Sequence, residues 1–242
     1  MKVFGITDQG KVREKNQDSY RIVSEPEGAL AIAVLCDGMG GARGGEVASQ
    51  IAAEAFVTCV QGELLDPSGP DLADIGRESA AYANLKVYDH AQRDDSCRGM
   101  GTTLVAALVR EQEAVLVNIG DSRGYWLAEG QLQQVTRDHS MVQGLVDQGI
   151  ITQEQARSHP RKNLITRAVG LYDRIRTDIF RLDLLEGDRL LLCSDGLSNL
   201  LTDGEIADVL ANNEIEEACR QLLDAALNRG APDNVTIVAL ER

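Results

Sequence analysis

Five aspartates, spread over more than 200 residues of a 242-residue chain, carry the chemistry this sequence can do. They are Asp18, Asp37, Asp121, Asp195 and Asp233, each in a short polar or glycine-rich break beside an apolar run. Strand ends can converge on one point of a fold, and converging carboxylates repel one another unless a cation joins them. Oxygen-only ligands favour hard ions, Mg²⁺ or Mn²⁺, over zinc. The pattern reads as a metal centre built from carboxylates.

Asp37 opens the run DGMGGARGG at 37–45. Glycines let a backbone approach an ion closely and adopt positive φ, and the Gly38 carbonyl beside Asp37 is a candidate further ligand. A nucleotide-binding loop fits poorly, because Arg43 stands where GxGxxG needs its third glycine and no GxxxxGK follows. A plain glycine turn opening a helix is the structural alternative. SDG at 194–196 raises a nucleophilic serine, but Leu192 occupies the first glycine position of a GxSxG elbow. Of three histidines, His90 and His159 lie in polar helical stretches and read as solvated surface residues, which leaves a serine triad poorly supported.

Arg13 lies five residues before Asp18. An isolated arginine is usually a surface charge. Beside a cluster of acids it would grip an anionic substrate through bidentate hydrogen bonds that lysine could not match. Two ions about 3.5–4 Å apart, with such an arginine, suit a phosphate dianion: they lower the pKa of a bridging water and offset charge on the equatorial oxygens. No covalent nucleophile is required.

The elements that must position these residues follow from periodicity. Strands are expected over 3–7, 20–24 and 29–36, the last an apolar run that needs cover on both faces. Helices are expected over 46–60 and 71–93. Four strands over 102–110, 114–119, 123–127 and 132–135 form an expected antiparallel meander, with Asp121 in a turn between two of them. Residues 138–170 are polar and helical, with a capping box at TQEQ 152–155, and make either a connector or a flap over a cleft. Strands return at 176–182 and 188–193, followed by a second capping box, TDGE at 202–205. Ile215, Ala218, Cys219, Leu222, Leu223 and Ala226 make an amphipathic helix ended by Gly230, and 235–240 closes the chain as a buried strand. Antiparallel strands grouped with helices before and after indicate an α+β fold. The expected architecture is a four-layer α-β-β-α sandwich of two mainly antiparallel sheets, in one domain over 1–242.

A formal net charge of −14 without a Lys/Arg cluster argues against nucleic acid and against an anionic membrane surface. Aromatics at 4% leave the core to aliphatic side chains. The N-terminus reaches Asp8 too soon for a signal peptide, and no run approaches the roughly 18 apolar residues that cross a bilayer. The five cysteines are an odd number without a CxxC pair, and Cys36 and Cys193 read as core thiols in a reducing compartment. A cytoplasmic protein without membrane insertion is expected.

Nine stretches in order resemble the metal-dependent protein serine/threonine phosphatases of the protein phosphatase 2C type, in their compact bacterial form. They are GKVREKNQD at 10–18, DGMGG at 37–41, GEVAS at 45–49, MGTT at 100–103, GDSR at 120–123, TRDHS at 136–140, NLITRAVG at 163–170, GDRLLLCSDG at 187–196 and DNVT at 233–236. The resemblance implies hydrolysis of phosphoserine and phosphothreonine in proteins by a metal-activated water. It implies that Asp37 bridges two central Mn²⁺ or Mg²⁺ ions, with the Gly38 carbonyl on one, and that Asp195 and Asp233 complete the other. It further implies that Asp18 holds metal-bound water, that Asp121 with Asp195 binds a third ion, and that Arg13 grips the phosphate. A flap within 138–170, phosphorylated protein substrates, a cognate serine/threonine kinase and a monomeric state are expected on the same ground.

Three positions depart from the family pattern. Bacterial relatives commonly have histidine where Ala42 stands, eukaryotic relatives place a candidate general-acid histidine where Met39 stands, and Gln17 replaces a frequent glutamate. His139 or a bound water is then the expected proton donor to the leaving group. A catalytically weak binding module of the same fold is the alternative function. The regulatory branch that acts on anti-sigma-factor antagonists is a third reading, and its members generally lack the Arg13 segment and the 187–196 pattern.

Overall fold

The computed structural model describes residues 1–25, 30–64 and 70–242, and for 41–43 the backbone only. Position 29, the expected start of the third strand, and the Ala42 side chain lie outside the described residues. The chain order is β1 (Lys2–Asp8), β2 (Asp18–Ser24), β3 (Leu30–Met39), α1 (Gly41–Glu63) and α2 (Leu72–Arg93), then a 3₁₀ turn (Asp95–Cys97). It continues with β4 (Gly101–Thr102), β5 (Leu104–Arg110), β6 (Glu113–Ile119), β7 (Arg123–Ala128) and β8 (Gln131–Gln134). After these come α3 (Met141–Asp147), α4 (Gln153–Arg157), β9 (Asp178–Asp183), β10 (Arg189–Cys193), α5 (Asp195–Ser198), α6 (Asp203–Asn212), α7 (Ile215–Asn228) and β11 (Val235–Glu241).

Two antiparallel sheets result, one in the order β1-β11-β10-β7-β8 and the other β2-β3-β5-β6-β9, with β4 added to β3. Strand alternation explains the continuous apolar runs. In β3, Ile32, Val34 and Cys36 face α1 and α2, while Ala31, Ala33 and Leu35 meet the opposing sheet. In β10 and β11, Leu191, Cys193, Ile237 and Ala239 face α6 and α7, while Leu190, Leu192, Val238 and Leu240 face inward. A strand buried on both faces has no polar face to show, and the four-layer α-β-β-α sandwich follows.

The middle strands correct one expectation. They are not one meander: β5 and β6 pair in one sheet, β7 and β8 in the other, and β6 does not pair with β7. The chain changes sheet at Gly120–Ser122, where Gly120 has φ 112°. A crossing of this kind carries Asp121 across the end of the sandwich, which a flat hairpin turn would not. Both predicted capping boxes form, Thr152 with Gln155 and Thr202 with Glu205. The second half of the glycine run is the first turn of α1 rather than a loop, entered through Gly40 at φ 114°. Cys36 and Cys193 are buried free thiols, as expected.

Candidate metal centre

All five aspartates arrive at one end of the sandwich. Asp18 opens β2 and Asp37 stands near the end of β3, directly opposite each other in the antiparallel register. Asp195 follows the last residues of β10, Asp233 precedes β11, and Asp121 sits in the turn where the chain changes sheet. A cleft of about 410 Å³ is lined by Asp37, Asp121, Asp195 and Asp233 together with Arg13. Asp18 lies behind it, one strand over from Asp37.

Backbone and hydroxyl groups fix these carboxylates. The Asp37 N–H donates to Thr103 Oγ1 (2.9 Å), and its carbonyl accepts from the Thr103 N–H and the Thr102 hydroxyl, both at 2.9 Å. Thr103 Oγ1 in turn meets Ser122 Oγ at 2.7 Å, tying β3 to the Asp121 turn. Asp18 Oδ2 accepts from the Thr236 hydroxyl (2.6 Å). Thr236 then receives from Thr7 (2.7 Å), and Thr7 from Asn16 Nδ2 (2.8 Å). Gly38 is required by space: a Cβ there would stand 2.1 Å from the Gly45 carbonyl oxygen.

Ser194, weighed as a nucleophile, is fully buried, and its Oγ accepts the Thr236 N–H at 2.9 Å. A hydroxyl so placed is part of the frame under Asp18.

Electrostatics separates this cluster from a surface group of acids. Burial first, and then the neighbouring carboxylates, push Asp37 well above the usual carboxylate range. Burial likewise raises Asp18 to about 7, Asp121 to about 8 and Asp195 to about 6, with repulsion from other aspartates adding to each. Two oxygens, Asp18 Oδ1 and Asp195 Oδ1, are buried without a hydrogen-bond partner. Native proteins rarely leave such atoms unpaired without a missing ion or water. Oxygen-only donors, mutual repulsion and orphaned lone pairs fit hard divalent cations.

Arg13 stands at the rim, paired with Asp233 through Nη2 and Oδ2 at 2.7 Å. Its loop is held by Asn234, whose side chain donates to the carbonyls of Gln9 (2.8 Å) and Lys15 (2.9 Å) and accepts from the Gln17 N–H (2.9 Å). Gly10 at φ 75° lets the loop close against the Asp233 carbonyl, 2.2 Å from where a Cβ would lie. Asn234, Thr236, Thr102 and Thr103 were not singled out from sequence. Asn234 and Thr236 share a short motif with Asp233, whereas Thr102 and Thr103 are far in sequence from all five aspartates and only the pairing of β3 brings them to Asp37.

The 138–170 segment closes on itself at its base, where the Met141 N–H donates to the Leu164 carbonyl (2.8 Å) and the Thr166 N–H to the His139 carbonyl (2.7 Å). Val169 bridges to Thr102, next to the residues that hold Asp37. Asn163 and Ile165 reach the cleft wall. Both lie in the NLITRAVG stretch, but nothing in their types marks them as cleft residues.

His139 does not line the cleft, which removes it as the direct acid. Its Nδ1 accepts the Gly120 N–H (3.0 Å) and its own N–H donates to the Gly120 carbonyl (2.8 Å). With Nδ1 an acceptor, the proton of the neutral ring falls on Nε2, which faces Asp178 Oδ2 at 3.1 Å beside the Arg167 guanidinium at 3.0 Å. The ring clamps the Asp121 turn, and burial holds its pKa below the ordinary histidine value. His139→Ala is expected to leave the shape of the pH–rate profile unchanged while lowering the melting temperature; a lost acidic or basic limb would restore it as an acid.

Comparison with known proteins agrees with this geometry. The sequence profile of the family described as Protein phosphatase 2C matches residues 9–235. The serine/threonine phosphatase Stp of Listeria welshimeri is 35% identical over 237 residues, covering 98% of this chain and 94% of that protein. The crystal structure of the Mycobacterium tuberculosis serine/threonine phosphatase PstP aligns with a TM-score of 0.89 at 38% identity, over 100% of this chain and 99% of that one. A structure of the PstP catalytic domain in complex with two manganese ions gives a TM-score of 0.85 at 36% identity, over 99% and 97% of the two chains. Five convergent carboxylates on this sandwich, with the matched profile across nearly the whole sequence, settle the relationship: the chain belongs to the protein phosphatase 2C family.

Proposed function

We propose that this protein is a protein serine/threonine phosphatase that removes phosphate from phosphoserine and phosphothreonine in proteins, dependent on Mn²⁺ or Mg²⁺. One observation carries the reading: within five converging aspartates, two buried carboxylate oxygens have no partner, and an arginine stands at the rim. The names and the bound manganese of the relatives support it.

Asp37 and the Gly38 carbonyl, with Asp195 and Asp233, would hold two central ions, and Asp18 would act behind them. Asp121 and Asp195 would hold a third. Such ions, when bound, activate water for direct attack on phosphorus and neutralise charge on the transferred phosphoryl group. No covalent nucleophile is needed, consistent with Ser194 being buried in the frame. Arg13 exchanges its Asp233 partner for two phosphate oxygens, a bidentate contact that orients the ester. Residues 138–170 form the flap, which brings Asn163 and Ile165 against the substrate. Among the described residues no histidine lines the cleft, so the leaving oxygen takes its proton from solvent water. Substrate specificity then rests on the flap and rim, and the kinase that phosphorylates the substrate is the implied partner. No helix among the described residues is long and apolar enough to cross a membrane.

The test is Arg13→Ala on a phosphothreonine peptide. The expected result is a kcat/KM lowered by roughly 10–100-fold, mostly through KM, with metal affinity retained. An unchanged KM would remove Arg13 from phosphate binding, and a preference for phosphotyrosine over phosphothreonine peptide would contradict the substrate class.

A further inference from the structure

We infer that the end of α2 carries a second, chemically distinct metal site, built from His90, Asp94 and Cys97 and suited to Zn²⁺. The ligand atoms of these three residues lie within 4.8 Å of one another. Thiolate, imidazole and carboxylate ligands on a tetrahedral zinc stand about 3.3–3.8 Å apart, so side-chain rotation of about an ångström closes the set.

Local backbone fixes the arrangement. The Asp94 N–H donates to the His90 carbonyl (3.1 Å) as the helix ends, the Cys97 N–H to the Asp94 carbonyl (2.9 Å), and the Met100 N–H to the Cys97 carbonyl (3.0 Å). The bland account of Asp94 is that it caps the 3₁₀ turn, and Oδ1 does so, accepting from the Ser96 N–H (2.9 Å) and hydroxyl (2.7 Å). That account leaves Oδ2, which lies 3.9 Å from Cys97 Sγ. Cys97 is 4% exposed and packs at the edge of the core under α1 and α2, yet its sulfur has only two polar contacts, both long, this one and Ser96 Oγ, also at 3.9 Å. The His90 ring, read from sequence as a solvated residue, has no hydrogen-bond partner among the described residues. Three donors of the right types converge, the Cys97 thiol and Asp94 Oδ2 held only by long contacts, and exposed Asp94 leaves an entry path.

The donor sets sort the ions. One thiolate, one imidazole and one carboxylate favour zinc, whereas the oxygen-only aspartate cluster favours Mg²⁺ or Mn²⁺. Thiolate and carboxylate together offset the charge of one divalent ion, and water takes the open fourth position. The site also has a structural consequence. The 3₁₀ turn leads into Met100, against which Gly40 packs, and on to Thr102 and Thr103, which hold the Asp37 backbone. A filled site braces the strap beneath the catalytic loop.

Cobalt titration of the reduced, chelator-treated full chain, in excess Mg²⁺ to occupy the oxygen-only centre, tests this. Thiolate ligation gives Co²⁺ a near-ultraviolet charge-transfer band that oxygen ligands cannot produce. The expected result is a band that saturates at a single equivalent, is displaced by Zn²⁺, persists in Asp37→Asn and is absent in Cys97→Ser. His90→Ala, at the last turn of α2, is expected to weaken binding at least tenfold. No band in the wild type, or the same band in Cys97→Ser, would overturn the assignment. Should Cys97→Ser fail to fold by circular dichroism, an unchanged affinity in His90→Ala overturns it instead.

Discussion

Asp37→Asn is expected to lower kcat/KM on a phosphothreonine peptide by roughly a thousandfold or more and, in the same molecule, to raise the melting temperature of the metal-free protein. The first effect follows from its place. Asp37 faces the cleft and stands directly opposite Asp18 in the strand register, so one substitution weakens the proposed ligand set on which charge neutralisation depends. The second follows from repulsion. Burial and four neighbouring aspartates all oppose its ionisation, and asparagine keeps the shape while removing the charge. About 1 kcal/mol moves the melting temperature by roughly 2–4 °C in a chain of this size, so a gain of several degrees in EDTA is expected. Scanning calorimetry with and without Mn²⁺ checks both halves: wild type gains most from the ion and the variant gains least. A variant less stable than wild type in EDTA would mean that the carboxylate is held by protein donors and is not waiting for a cation.

The metal-free protein is expected to lose stability as pH rises from about 5 to about 8.5. Asp18, Asp195 and Asp121 are raised to about 7, 6 and 8 in the folded state, against about 3.9 for an unfolded aspartate. The folded chain therefore keeps protons that the unfolded chain releases. The resulting stabilisation is fully present below about pH 4 and is lost as pH passes through these raised values. Divalent cations reverse the trend, because they bind the ionised carboxylates that protons otherwise occupy. Thermal melts in EDTA and in Mn²⁺ across this range should give slopes of opposite sign. Parallel slopes would contradict a cation-joined cluster. Asp121→Asn should flatten the EDTA slope in its upper part.

The convergence of the aspartates is legible because it is carried by residue type: five aspartates in polar or glycine-rich breaks beside apolar runs have few structural uses in common. The layers were legible for a related reason, since runs such as 30–36 and 190–193 show no polar face and so must be covered twice. What stayed hidden depends on long-range register. Nothing local says that β6 and β7 part into different sheets, because the Gly120 turn has the composition of an ordinary hairpin and only packing selects the crossing. His139 sits in a polar motif beside Asp138, as a catalytic base would, and only the fold shows it turned toward the Gly120 amide. His90 and Cys97 carry no joint signal in the sequence, because only the turn after α2 brings their side chains to one side. Asn234 and Thr236 have no evident task in the sequence, and their hydrogen bonds to the Arg13 loop and to Asp18 supply one.

Phosphate release from a phosphothreonine peptide, measured with Mn²⁺, with Mg²⁺, and after EDTA followed by re-added ion, decides whether this carboxylate cluster is a metal-dependent phosphatase site. The account predicts turnover with either ion, silence in EDTA, recovery on re-addition, and near-silence for Asp37→Asn throughout. A correctly folded wild type that releases no phosphate with either ion, or one that turns over equally well in EDTA, would contradict it.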